Sequence, residues 1–198
     1  MSTRRTLGAA VLALSLAVAL AVPCFAAIKA MSLAELMQTT TDVVHAQILA
    51  RSTFHAPSPF TGDDAAWTRL SLAGESMTSG QPVDFDVVFL GSHDPADQYA
   101  LSEMPTLQDT RVGNEVVLFY HLHAGSHSSE PSGERVVHNL AEVFRVEQGF
   151  GQAVVLGRGK GSAFPENVKL DEARRLVQVA AAEAKTAGPA GPAGAEGK

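Results

Sequence analysis

The chain has 198 residues, 45% of them hydrophobic, and carries 15 Lys and Arg against 21 Asp and Glu, a formal net charge of −6. An acidic chain without basic clusters repels phosphate backbones and anionic membrane surfaces, so nucleic acid is not an expected partner. Cys24 is the only cysteine, which leaves neither a disulfide framework nor a thiolate-rich zinc site.

The first segment reads as a secretory signal. Arg4 and Arg5 precede an uncharged run from Leu7 to Val22, then come Pro23 and small residues around Cys24-Phe25-Ala26. These are the positive start, apolar stretch and small-residue exit of an export signal. The apolar run is shorter than the roughly 20 residues that span a bilayer as a helix. Thr3-Arg4-Arg5-Thr6-Leu7 partly matches a twin-arginine signal, from which Gly8 departs, and Ala21-Val22-Pro23 is a poor lead-in to a lipidated cysteine. Cleavage is expected after Ala26. It leaves 172 residues, no cysteine, no membrane span and, with Arg4 and Arg5 gone, a net charge of −8. The expected location is the periplasm or the outside of the cell. A chain of that length forms one domain burying about 70% of its extended surface, and residues 27–185 are assigned to it.

Ser32-Leu33-Ala34-Glu35 has the capping-box pattern, and Leu33, Leu36 and Met37 share a helical face, so a short helix opens the domain. From Asp42 to Arg51, Val44, Ala46, Ile48 and Ala50 alternate with His45, Gln47 and Arg51, the pattern of a half-buried strand. Pro57, Pro59, Gly62, Asp63 and Asp64 punctuate a loop over 52–66. A strand resumes from Trp67 to Met77 with Leu70 and Leu72 inward. After a Gly80–Pro82 turn, Val83, Phe85, Val87 and Phe89 alternate with Asp84 and Asp86. Residues 91–111 are polar and irregular. Val112-Gly113-Asn114 turns into the apolar run Val116–Tyr120, read as a buried strand, and a second polar loop covers 124–137. Strands at 141–146 and 153–156 follow. A helix then carries Ala173, Leu176, Val177, Ala180 and Ala184 on one stripe, with Asp171 and Glu172 at its positive end. Beyond it, residues 186–198 keep a collagen-like Gly-Pro-Ala period for about three triplets, too few for a triple helix, and are expected to be a disordered tail. Short strands with Gly- and Pro-rich turns between two helices favour a small antiparallel barrel or sandwich.

The succession of Ser32–Leu36, Asp42-Val43-Val44, Trp67–Leu72, the Gly80 turn and Val112–Phe119 resembles a broad group of bacterial secreted proteins with a leader helix and an Asp-Val-Val strand. More distantly it is similar to netrin-like domains, the OB-type barrels of tissue metalloprotease inhibitors. Trp67-Thr68, Ser79-Gly80 and Gly113–Phe119 stand where that family has its characteristic strands and turn. The resemblance implies a mainly β fold: a small antiparallel OB-like barrel flanked by a short N-terminal helix and a C-terminal helix. The family's N-terminal cysteine and its disulfides have no counterpart here, so the resemblance does not carry inhibitor activity with it.

Candidate chemistry is sparse. His121 and His123 alternate at a strand end, with His127 in the next loop, and imidazoles so placed suit zinc or copper. Glu130, His138 or a more distant residue would have to complete such a set. The preferred reading of these histidines is a solvated strand end. His45, His55, His93 and His138 have no informative spacing. Gly74-Glu75-Ser76-Met77-Thr78 approximates a nucleophile elbow but lacks its last glycine and the parallel-sheet setting. Gly157–Ser162 has its glycines too close together for a phosphate loop. Asp84 and Asp86 read as a wet strand face, and Trp67 and Tyr99 as lone aromatics. No catalytic residue and no cofactor is expected. The leading expectation is a non-enzymatic module that binds a protein or small ligand through its loops, and the alternative is a metal-binding protein or metal-dependent enzyme using His121 and His123.

Overall fold

A computed structural model describes residues 30–97, 100–122, 135–149 and 151–187; the expected signal segment lies outside the described residues. Ser32 opens helix α1 (Leu33–Thr39) through the expected capping box. Its Oγ accepts the Glu35 N–H while its own N–H donates to Glu35 Oε2 at 2.8 Å, and Leu36 and Met37 are buried.

Strand β1 (Asp42–Pro57) pairs antiparallel with β2 (Asp64–Ser76) from Val44↔Ser76 to Pro57↔Asp64. The loop expected at 52–66 therefore shrinks to 58–63, because both flanks of the proline- and glycine-marked turn continue as strand. Antiparallel pairing then joins β2 to β3 (Pro82–Leu90). Strand β4 (Glu115–Leu122) returns to β1, pairing from Asp42↔Tyr120 to Gln47↔Glu115. The short β5 (Arg135–Val136) sits between β3 and β4, parallel to β3 and antiparallel to β4. The order β1-β2-β3-β5-β4 thus closes on β1, giving the OB-like barrel, antiparallel except at β3–β5.

Beyond a 3-10 turn (Leu140–Glu142), β6 (Val143–Gly149) runs along the same edge of β4 as β5 does. The sheet continues through β7 (Gln152–Val155) and β8 (Val168–Lys169). Helix α2 (Leu170–Ala187) ends the fold, two residues into the segment expected as tail. Among the described residues no helix is long and apolar enough to cross a membrane.

Two features let β1 serve two neighbours. At Gly74, opposite Ala46, a Cβ would lie 2.1 Å from the His45 carbonyl oxygen and 2.5 Å from Ala46 Cα, so only glycine permits this approach. The second is a register shift: Ile48 pairs Leu72 but Ala50 pairs Ser71, leaving Leu49 as an extra residue, 50% exposed. This bulge turns Ala50 to the outside, correcting its expected place beside Val44, Ala46 and Ile48.

Two apolar layers result. Val44, Ala46, Ile48, Leu70, Leu72, Val87, Phe89 and Leu118 fill the barrel, with Phe85 at its edge. Phe119 points the other way. It joins Phe144 and Phe164, ring centroids 5.0–6.4 Å apart, beneath Leu36 of α1 and Val177 of α2. On α2 the buried stripe is Ala173, Val177 and Ala181, while Leu176 is 43% exposed and lies off it. Asp84 and Asp86 are exposed as expected.

Chemical denaturation tests both layers. Phe119→Ala is expected to cost about 3–5 kcal/mol, and Gly74→Ala about 1–3 kcal/mol from backbone overpacking. An unchanged midpoint for either variant would contradict its assigned position.

Candidate functional site

The apolar run Val116–Tyr120 is buried throughout, and His121 follows where both neighbours of β4 change. On one edge, pairing with β1 stops at Asp42↔Tyr120, and the linker before β1 takes over. Thr41 N–H donates to Tyr120 O and Leu122 N–H to Thr41 Oγ1, each at 2.8 Å. That path sets Thr39 O 3.0 Å from His121 Nδ1. On the other edge, β5 leaves the ladder at Val136 and β6 resumes it at Val143. Between them Val137 N–H donates to Val88 O, Leu140 N–H donates to Glu103 O, and Asn139 Oδ1 caps the 3-10 turn by accepting Ala141 N–H.

Glu142 turns into this break and is only 2% exposed. Its Oε2 accepts the His138 backbone N–H at 2.7 Å; its Oε1 accepts Asn139 Nδ2–H at 3.3 Å and lies 3.1 Å from His121 Nε2. A carboxylate buried without such donors would be strongly destabilising. Burial by itself would lower the proton affinity of His121. The hydrogen bond and charge of Glu142 and the Thr39 carbonyl outweigh it, and the pKa lies above the ordinary 6.5. With an acceptor at each ring nitrogen, the imidazolium is the form that satisfies both contacts. The His138 ring stacks on that of His121, centroids 4.4 Å apart and planes 8° from parallel.

Of the histidines expected to take metal, His121 is in this cluster, while His123 and His127 lie outside the described residues. The side chain of His121 is 14% exposed, so it is not a solvated strand end. Sequence reasoning named His138 among the residues that could complete the set and missed Glu142. Glu142 fell within the strand expected over 141–146, and His138 had no informative spacing to His121. The hint available was the Asn139-x-x-Glu142 pattern, a capping residue ahead of a short turn.

Beside this cluster a cavity of about 430 Å³ opens on the outer face of β2, β3 and β5. Trp67, Leu90 and Val136 form its floor, Leu101 and Met104 come from the connection before β4, and His138 and Asn139 contribute polar groups. Phe60, in the β1–β2 turn, also lines it and is 81% exposed. Trp67 stacks with Phe54 at 6.4 Å between centroids, and Tyr99 lies outside the described residues. The other motifs lead elsewhere. Ser76 is buried and bonded to Thr78 Oγ1 and Ser79 N–H. Gly157–Ser162 precedes no helix; its Arg158 reaches Asp109 Oδ2 and Val143 O.

No family model matches the sequence, and no curated protein matches it.

A second histidine lies between two carboxylates. His55 on β1 lies with Nδ1 3.1 Å from Asp64 Oδ2 and Nε2 3.1 Å from Asp97 Oδ1. The Asp97 hydrogen bond is the largest influence on its pKa; desolvation opposes it, the Asp64 hydrogen bond and the two carboxylate charges add to it, and the pKa lies above 6.5. A raised folded-state value means the contribution to stability is complete below the unfolded pKa and fades as pH rises through the folded one. NMR titration is expected to place His55 above 6.5 and to find it lowered most by Asp97→Asn. A midpoint at or below the ordinary value would contradict the bridge.

Proposed function

We propose that this chain is an exported, non-enzymatic binding module working in the periplasm or outside the cell, and that it takes a small apolar ligand or an apolar side chain of a partner protein in the cavity beside β2, β3 and β5. One observation carries the reading. A concave, mainly apolar cavity of about 430 Å³ has a few polar residues in its lining, Ser102, Glu103, His138 and Asn139, and its size is within the range of small-molecule sites. The walls come from a closed barrel and the lip from its connections, the division of labour common to binding folds. The acidic net charge of −6 disfavours nucleic acid. Export rests on the N-terminal pattern, and a distant relation to netrin-like barrels is in keeping with the strand order.

Trp67 is the sole tryptophan and lines the cavity, so its fluorescence reports on occupancy. Anilinonaphthalene sulfonate is expected to bind saturably at one site and to quench Trp67 by energy transfer. Leu101→Phe, which fills the space, weakens that binding by at least about tenfold, roughly 1.4 kcal/mol. Equal binding by wild type and a stable Leu101→Phe variant would rule the cavity out.

A further inference from the structure

We infer that His121, His138 and Glu142 form a site for one divalent transition-metal ion of the zinc class. The inference is independent of whether the neighbouring cavity takes an apolar ligand. One potential ligand atom from each residue lies within 4.8 Å of the other two. Two imidazoles and a carboxylate are a donor set that zinc accepts with a fourth position left open, and one of the three, His138, also lines the cavity.

The two more buried ligands are already oriented. Thr39 O, 3.0 Å from His121 Nδ1, holds a proton on that nitrogen and leaves Nε2 to coordinate, as carbonyl partners do for metal-bound histidines. Glu142 is fixed from behind by the His138 backbone N–H and by Asn139 Nδ2, which makes Asn139 a positioning residue. The 3.1 Å between His121 Nε2 and Glu142 Oε1 is close to the roughly 3.3 Å that separates neighbouring ligands around a tetrahedral ion with bonds of about 2.0–2.1 Å. Only His138 has to move. Its ring is stacked nearly parallel to His121, so their lone pairs do not converge. The residue is exposed, and coordination requires its ring to rotate about Cβ–Cγ so that a nitrogen turns toward the other two ligands. On binding, the metal replaces the proton shared between His121 Nε2 and Glu142, and that proton is released to solvent.

Protein purified without a histidine tag and stripped with a chelator would be titrated with zinc against a chromophoric competitor, and with cobalt for its visible spectrum. One equivalent is expected to bind, with cobalt absorption of four-coordinate intensity. His138→Ala, an exposed change that keeps the far-ultraviolet dichroism, should weaken zinc by about 100-fold or more. Glu142→Gln should do the same, and a His123→Ala/His127→Ala variant should bind as wild type does. Absence of saturable binding overturns the inference. So does binding that survives His138→Ala, or that is lost with His123 and His127 instead.

Discussion

Everything in this fold depends on one strand serving two neighbours. The first residues of β1 hydrogen-bond to β2 on one side and to β4 on the other, and that double pairing closes the barrel. It requires backbones to approach at Gly74 more tightly than any side chain permits. It also requires β1 to leave the barrel after Ile48, which the Leu49 bulge accomplishes. With β1 closed onto β4, the opposite edge of β4 must accept the returning chain, and β5 and β6 share that edge as two segments rather than one strand. The candidate site is the gap between them.

That gap shows how a polar group can be built into an apolar fold. Pairing with β4 lapses from Val137 to Glu142, and the Glu142 side chain supplies an acceptor where strand pairing would have had a carbonyl. Its charge is met by His121, whose other nitrogen is held by the chain entering β1. One ion pair therefore links the α1–β1 junction, the end of β4 and the start of β6. His121 stands two residues beyond Phe119 on β4 and so shares its face of the strand with the aromatic layer of Phe119, Phe144 and Phe164 under the helices.

Much of this was legible in the sequence. Alternation placed Val44, Ala46, Ile48, Leu70 and Leu72 in the barrel, and Ser32 and Glu35 announced the first helix turn. What failed, failed for physical reasons. A bulge is a one-residue event that reverses the faces beyond it, so Ala50 looked inward until the register was known. Phe119 belongs to a run apolar on both faces, where period-two alternation is silent about which layer a residue joins. The cluster of His121 with His138 and Glu142 spans 21 residues between its ends, and it comes from a strand interruption that hydrophobic patterning does not encode. Spacing along the chain finds ligands that share one element, not ligands gathered from two.

Native-state hydrogen exchange on metal-free, chelator-treated protein tests the closure of the barrel by β1 most directly. If β1 closes the barrel unaided, the amides of Val44 to Gln47 and of Leu70 to Leu72 exchange together, and only through global unfolding. Exchange of the β1 amides at rates well above those of β2, or loss of protection once metal is removed, would mean that the strand is a peripheral or cofactor-held element and that the barrel is not the foundation of the fold.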